Sequence, residues 1–141
     1  MTVTSQLPMW YASDSVKKIV IENGITTIGN ETFYGCEALT SVTIPDSVTS
    51  IGKYAFKYCS KLESITIPNS VKEIGVCAFS QSEGLKTITI PDSVTTLDEN
   101  AFFNCKNLTS VKLSNNLERI ESATFFFLDK SPFCSHLFGK V

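Results

Sequence analysis

The chain has 141 residues, 43% of them hydrophobic and 18% charged, with a formal net charge of −2. That balance can bury a core, which excludes an intrinsically disordered chain. It also excludes a nucleic-acid footprint, which needs a surplus of Lys and Arg on one face. The start Met1-Thr-Val-Thr-Ser-Gln-Leu-Pro carries neither a basic cluster nor an apolar stretch, so no export signal is expected there. No apolar run approaches the roughly 18 residues that cross a bilayer. Leu7, Met9 and Trp10 suit this segment to covering the exposed end of the core formed by the residues after it, as an N-terminal cap.

From residue 16 onward the sequence repeats every 23 residues, a period that changes what each residue means. One column holds Ile25, Val48, Val71, Val94 and Leu117, and the next Ile28, Ile51, Ile74, Leu97 and Ile120. A third is Phe33, Phe56, Phe79, Phe102 and Phe125. Cys36, Cys59, Ser82 and Cys105 follow, then Leu39, Leu62, Leu85 and Leu108. Small residues recur at Ala55, Ala78, Ala101 and Ala123, and glycine at Gly29, Gly52 and Gly75, replaced by Asp98 and Glu121. The apolar positions of one unit cannot offset the conformational entropy of ordering it, so the units must stack and cover one another. A solenoid of four complete units and a damaged fifth is expected, advancing about 4.8 Å per unit.

Within a unit, Leu39–Ile44 reads as a short strand with Val42 and Ile44 inward and Ser41 and Thr43 outward. Its copies at 16–21, 62–67, 85–90 and 108–113 should align as one parallel sheet. Pro45, Pro68 and Pro91 end three of these strands, because proline cannot donate to a ladder. The three-residue step from Val48 to Ile51 suits a corner or a short second extended segment. Gly52 is expected to supply a left-handed turn. Ala55, Phe56 and Cys59, at i, i+1 and i+4, are consistent with one helical turn whose Phe plugs the core.

The unit Leu39-x-x-Val42-x-Ile44-Pro45-x-x-Val48-x-x-Ile51-Gly52-x-x-Ala55-Phe56-x-x-Cys59 resembles the BspA-like subclass of leucine-rich repeats over residues 16–128. Ser47, Ser70 and Ser93 stand where the commoner leucine-rich pattern has Asn, which here is present only as Asn116; a hydroxyl can still bond the turning backbone. The resemblance implies an α/β right-handed solenoid with its short parallel sheet on the concave side and turns or short helical turns elsewhere. It further implies, for members that carry export signals, surface display and attachment to host or matrix proteins. An intracellular scaffold of the same fold is the alternative.

Variable positions are where such a scaffold carries function. Ser41, Ser64 and Thr87, with Thr43, Thr66 and Thr89, form outward hydroxyl rows that end at Ser110 and Lys112. They read as a solvated strand surface or as a protein or sugar contact. An ice-binding array is a further alternative, interrupted by Lys112. Tyr34, Tyr54, Tyr58, Phe103, Phe126 and Phe127 lie outside the core columns. If Tyr54, Tyr58 and Phe103 share an exposed patch, that patch is a second candidate partner site; packing against adjacent units is the plainer reading.

Catalytic and metal chemistry find little support. Of five cysteines, Cys36, Cys59 and Cys105 share one core column, Cys77 and Cys134 stand elsewhere, and no C-x-x-C pair occurs. Reduced, buried thiols are expected. His136, the only histidine, lies beside Ser135 in an irregular tail and has no second imidazole for zinc or rigid partner for a triad. Asp46 and Asp92 are separated by Asn69, a column that suits turn capping. No cofactor is expected.

After Phe125 the pattern decays, with Ser131 where Leu is due, into the tail 129–141. A cap formed by Phe133, Leu137 and Phe138, an end-to-end dimer contact and a truncated array are the three readings of that apolar end. The chain as a whole reads as a non-enzymatic module for a protein partner.

Overall fold

The computed structural model describes residues 2–3 and 15–126. Two rows of short strands run along a stack of coils that begin at residues 16, 39, 62, 85 and 108. The first row contains β1 (Thr2–Val3), β2 (Lys18–Ile21), β4 (Ser41–Thr43), β7 (Thr87–Thr89) and β9 (Ser110–Lys112). The second contains β3 (Thr27–Ile28), β5 (Ser50–Ile51), β6 (Glu73–Ile74), β8 (Thr96–Leu97) and β10 (Arg119–Ile120). Every strand pairing is parallel. β1 lies beside β2 with Thr2 opposite Val20. Leu7, Met9 and Trp10 lie outside the described residues, as do Phe127, Ser131, Phe133, Cys134, His136, Leu137 and Phe138.

The second row is one continuous five-stranded sheet in the order β10-β8-β6-β5-β3. The step after Val48 therefore leads into a true extended segment. Burial alternates along β2, where Ile19 and Ile21 are buried while Lys18 and Val20 are exposed, and the same in-out pattern recurs in β4 and β7. Phe33, Phe56, Phe79, Phe102 and Phe125 pile in register through the core, with ring centroids 5.2, 5.2, 5.3 and 5.5 Å apart. That spacing is close to one strand separation.

Four sequence expectations need correction. The first row is not one sheet: it divides into β1-β2-β4 and β7-β9, and residue 64 joins only the latter, through a bridge to Thr87. A difference one residue before the strand accompanies the divide between coils 2 and 3. Thr40 Oγ1 clips coil 2 to the Lys17 carbonyl at 2.9 Å, and Thr109 Oγ1 reaches the Lys86 carbonyl at 3.4 Å. Coil 3 has Glu63 at this position, and its carboxylate reaches the other way, to Lys86 Nζ at 2.8 Å.

The second correction concerns the expected helical turn: no helix occurs among the described residues. Turn residues adopt positive φ instead, two of them at Tyr54 (59°) and Tyr58 (65°) in coil 2 and two at Cys77 (55°) and Gln81 (59°) in coil 3. Each flips a peptide so that alternate N–H groups point along the stack. In coil 2, Tyr54, Phe56 and Tyr58 donate to the carbonyls of Val76, Ala78 and Ser80 at 3.0, 2.7 and 3.1 Å. These bonds run from each coil to the next. At the opposite corner the direction reverses, with Thr49 N–H donating back to Thr26 and Gly52 N–H back to Ile28, both at 2.8 Å.

Third, Gly52 is not left-handed; the positive-φ glycines are Gly24 and Gly35. Gly52 is required by proximity, because a Cβ there would stand 2.7 Å from the Asn30 nitrogen and the Gly29 carbonyl carbon. Fourth, Ala123 is one residue out of register. Thr124 fills the small-residue column, is 2% exposed, and donates its hydroxyl to the carbonyls of Glu121 and Asp98 at 2.7 and 3.2 Å.

Candidate functional site

The cysteine column is structural. Cys59 Sγ donates to the Phe33 carbonyl at 3.3 Å and Cys105 Sγ to the Phe79 carbonyl at 3.1 Å. Burial pushes the Cys36 thiol up to about 11 and the Cys105 thiol up to about 12, and it raises Cys59 as well. Protonated, enclosed thiols are poor nucleophiles. All four described cysteines are free. The half-buried Cys77 is also raised, first by burial, against the lowering influence of Lys57 and Lys53.

The serines that replace Asn bond the backbone of the preceding coil. Ser47, Ser70 and Ser93 donate to the carbonyls of Ile25, Val48 and Val71 at 2.7, 2.6 and 2.6 Å. Asp92 accepts the Asn115 backbone N–H at 2.8 Å and its side-chain amide at 3.2 Å, which holds its carboxyl below the usual range. The column containing Asp46 and Asp92 thus ties coils together where it is engaged. Among the described residues, no group of three or more His, Cys, Asp or Glu is placed to hold a metal ion.

Two surfaces remain. On the first row, Thr43, Ser64, Thr66, Thr87 and Thr89 are exposed and Ser41 is half-buried. A shallow groove of about 820 Å³ crosses this face over coils 3 and 4, lined by Ser64, Thr66, Thr87 and Thr89 and closed by Asp92 and Lys112. Ser41 and Thr43 stand on the other side of the divide in the sheet and do not line it.

The second surface is the turn of coil 2. Lys57 Nζ sits 5.2 Å from the Tyr54 ring centroid and 5.0 Å from that of Tyr58, while Lys53 Nζ is 5.0 Å from Tyr54. Tyr34 packs edge-on to Tyr58 with centroids 5.5 Å apart. Tyr34 and Tyr58 are 41% and 36% exposed. Phe103 does not join them: it is half-buried and stacks on Phe126 at 6.1 Å. Sequence reasoning groups Tyr54 with Tyr58, as the structure does, but misses Lys53 and Lys57 and leaves Tyr34 out of the site. Tyr34 precedes Tyr58 by one residue more than the period, so a column-by-column alignment separates two rings that touch.

Residues 8–130 match the family described as BspA type leucine rich repeat region, in six copies. The chain belongs to the BspA-type leucine-rich repeat family. Among solved structures, the BspA-type array is similar to a leucine-rich repeat protein from Bacteroides ovatus, with 40% identity and a TM-score of 0.75 over 79% of this chain and 29% of that one. It is also similar to a leucine rich cell surface protein from Faecalibacterium prausnitzii, with 38% identity and a TM-score of 0.73 over 79% of this chain and 30% of that one. A leucine-rich repeat protein from Bacteroides capillosus matches at 33% identity and a TM-score of 0.54, over 84% of this chain and 83% of that one. The chain thus spans less than a third of the length of the first two. No curated protein matches it significantly. No helix of the described residues is long and apolar enough to cross a membrane.

Proposed function

We propose that this BspA-type array is a non-enzymatic protein-binding module whose partner lies along the first-row face. One observation carries the reading: Ser64, Thr66, Thr87 and Thr89 line a groove with hydroxyls that bond no other described residue. Such groups keep their hydrogen-bonding capacity for a partner, and the strands beneath them fix their spacing. In this reading the stack is a right-handed superhelix with the first row on its concave side. Its parts are the N-terminal cap segment 1–15, the array 16–128 and the tail 129–141, with β1 beside β2 supporting the first of these. Cell-surface adhesion to host or matrix proteins is the setting that the F. prausnitzii relative supports; an intracellular scaffold is the alternative.

The test is retention of matrix proteins and of cytosolic lysate proteins by the intact chain and by the double variant T66R/T89R, which fills the groove. A matrix protein held by the wild type and released by the variant supports adhesion. A cytosolic protein with that behaviour supports the scaffold. Retention of nothing, or retention indifferent to the variant, overturns binding at this face.

A further inference from the structure

The turn of coil 2 concentrates positive charge in a chain whose net charge is negative. Lys53, Lys57 and Lys61 stand on it at four-residue intervals, with Lys53 and Lys61 exposed and Lys57 half-buried. The ion pairs among the described residues engage Lys86, Lys106 and Arg119 instead. Coil 1 places Glu31 and Glu37 in the columns of Tyr54 and Ser60, and neither carboxylate pairs with these lysines. Glu99, two coils along the Lys53 column, accepts from the Asn100 side-chain amide at 3.2 Å. Lys53, Lys57 and Lys61 thus enter none of the ion pairs among the described residues.

The tyrosines determine what that charge can recognise. An ammonium resting on a ring keeps its charge, while the ring narrows its range of positions, so two of the three cations are preorganised. The same arrangement places ammonium groups over Tyr54 and Tyr58, which opposes stacking of a sugar on those faces. Tyr34 and Tyr58, both exposed, add phenol O–H donors to this face. Ordered cations on a face that also carries hydroxyl donors suit carboxylates presented by a flexible chain. We propose that the turn face of coil 2 docks an acidic segment of a partner protein, with carboxylates meeting Lys53 and Lys57 and the chain crossing Tyr34 and Tyr58. This surface is separate from the first-row groove and stands or falls apart from it.

Binding of a synthetic Glu-rich peptide to the full chain, measured by fluorescence anisotropy at physiological ionic strength, tests the proposal. A sequence-scrambled Gln counterpart and heparin serve as comparison probes. The wild type should bind the Glu-rich peptide, and K53Q/K57Q should weaken it about tenfold. K86Q/K106Q, which removes the same charge elsewhere, should weaken it less than about twofold. Thermal melting of K53Q/K57Q should be unchanged, and because Lys57 is half-buried, K53Q alone, at an exposed position, should also weaken binding. The proposal is overturned by absence of binding, by equal losses in the two double variants, or by heparin binding without peptide binding.

Discussion

Ser82 Oγ donates to the Phe56 carbonyl at 2.7 Å, the same service that the Cys59 and Cys105 thiols perform for the phenylalanine carbonyls of their own preceding coils. The column therefore selects a small side chain that can both fill the interior and donate one hydrogen bond. Cys59→Ser should accordingly cost less than Cys59→Ala, which leaves the Phe33 carbonyl with the Cys36 N–H alone, at 3.3 Å, and forfeits one hydrogen bond worth about 0.5–1.5 kcal/mol. Urea unfolding of the two variants checks the order; equal midpoints would remove the hydrogen bond from the account.

The same thiols make stability depend on alkali. Their folded pKa values lie above the ordinary 9.0, so the folded state holds protons that the unfolded chain releases. The contribution is fully present below pH 9 and is lost as pH rises toward 11 and beyond. Melting temperature should fall across that window, and less steeply in C36S/C59S/C105S.

Closing the divided sheet should be feasible with one substitution. Glu63→Thr supplies the hydroxyl that Thr40 and Thr109 use in their coils, and should slow amide hydrogen exchange at residues 64–66. The gain is about 1 kcal/mol, set against an exposed ion pair with Lys86 worth at most about 1 kcal/mol. Unchanged exchange would show that the clip does not control the seam.

Glycines in one column should differ in tolerance. A Cβ at Gly52 meets backbone at 2.7 Å, whereas at Gly29 it meets only the Thr32 hydroxyl at 3.2 Å. Gly52→Ala should lose about 1–3 kcal/mol in chemical denaturation, and Gly29→Ala less than half as much.

Asp98 occupies that column farther along, where its N–H reaches the Ile74 carbonyl at a longer 3.4 Å. Burial first, then Glu121 and Glu73, raise its carboxyl above 3.8. Ionisation is therefore unfavourable in the folded state, and the wild type loses stability as pH climbs through the raised value. Asp98→Asn should be the more stable protein at about pH 7 by a few tenths of a kcal/mol, given the solvent screening of this partly exposed group. That advantage should vanish below about pH 3.5 in paired thermal melts, where the carboxyl is protonated in both states.

The phenylalanine pile was legible because an unbroken period leaves one way to stack equivalent residues, whereas the three-residue step from Val48 to Ile51 left a corner and a short second strand both open. The turn was not legible. Ala55, Phe56 and Cys59 have a spacing that a helical turn and a pair of overlapping turns share, and tyrosine does not announce positive φ as Gly or Asn does. Thr124 was overlooked because its column is defined by size, and a hydroxyl that finds a carbonyl fits as well as a methyl. For the candidate surfaces, the hydroxyl rows followed from strand alternation. The lysine–tyrosine cluster did not, because Tyr34 and Tyr58 meet diagonally across neighbouring coils.

The opposed senses of the inter-coil hydrogen bonds have an electrostatic consequence. An α-helix aligns its peptide dipoles and accumulates a field at each tip. Here the Tyr54–Tyr58 turn points its N–H groups toward the C-terminal end, while the corner at Thr49 and Gly52 points them toward the N-terminal end. The two columns largely cancel, so adding further coils lengthens the rod without charging its poles.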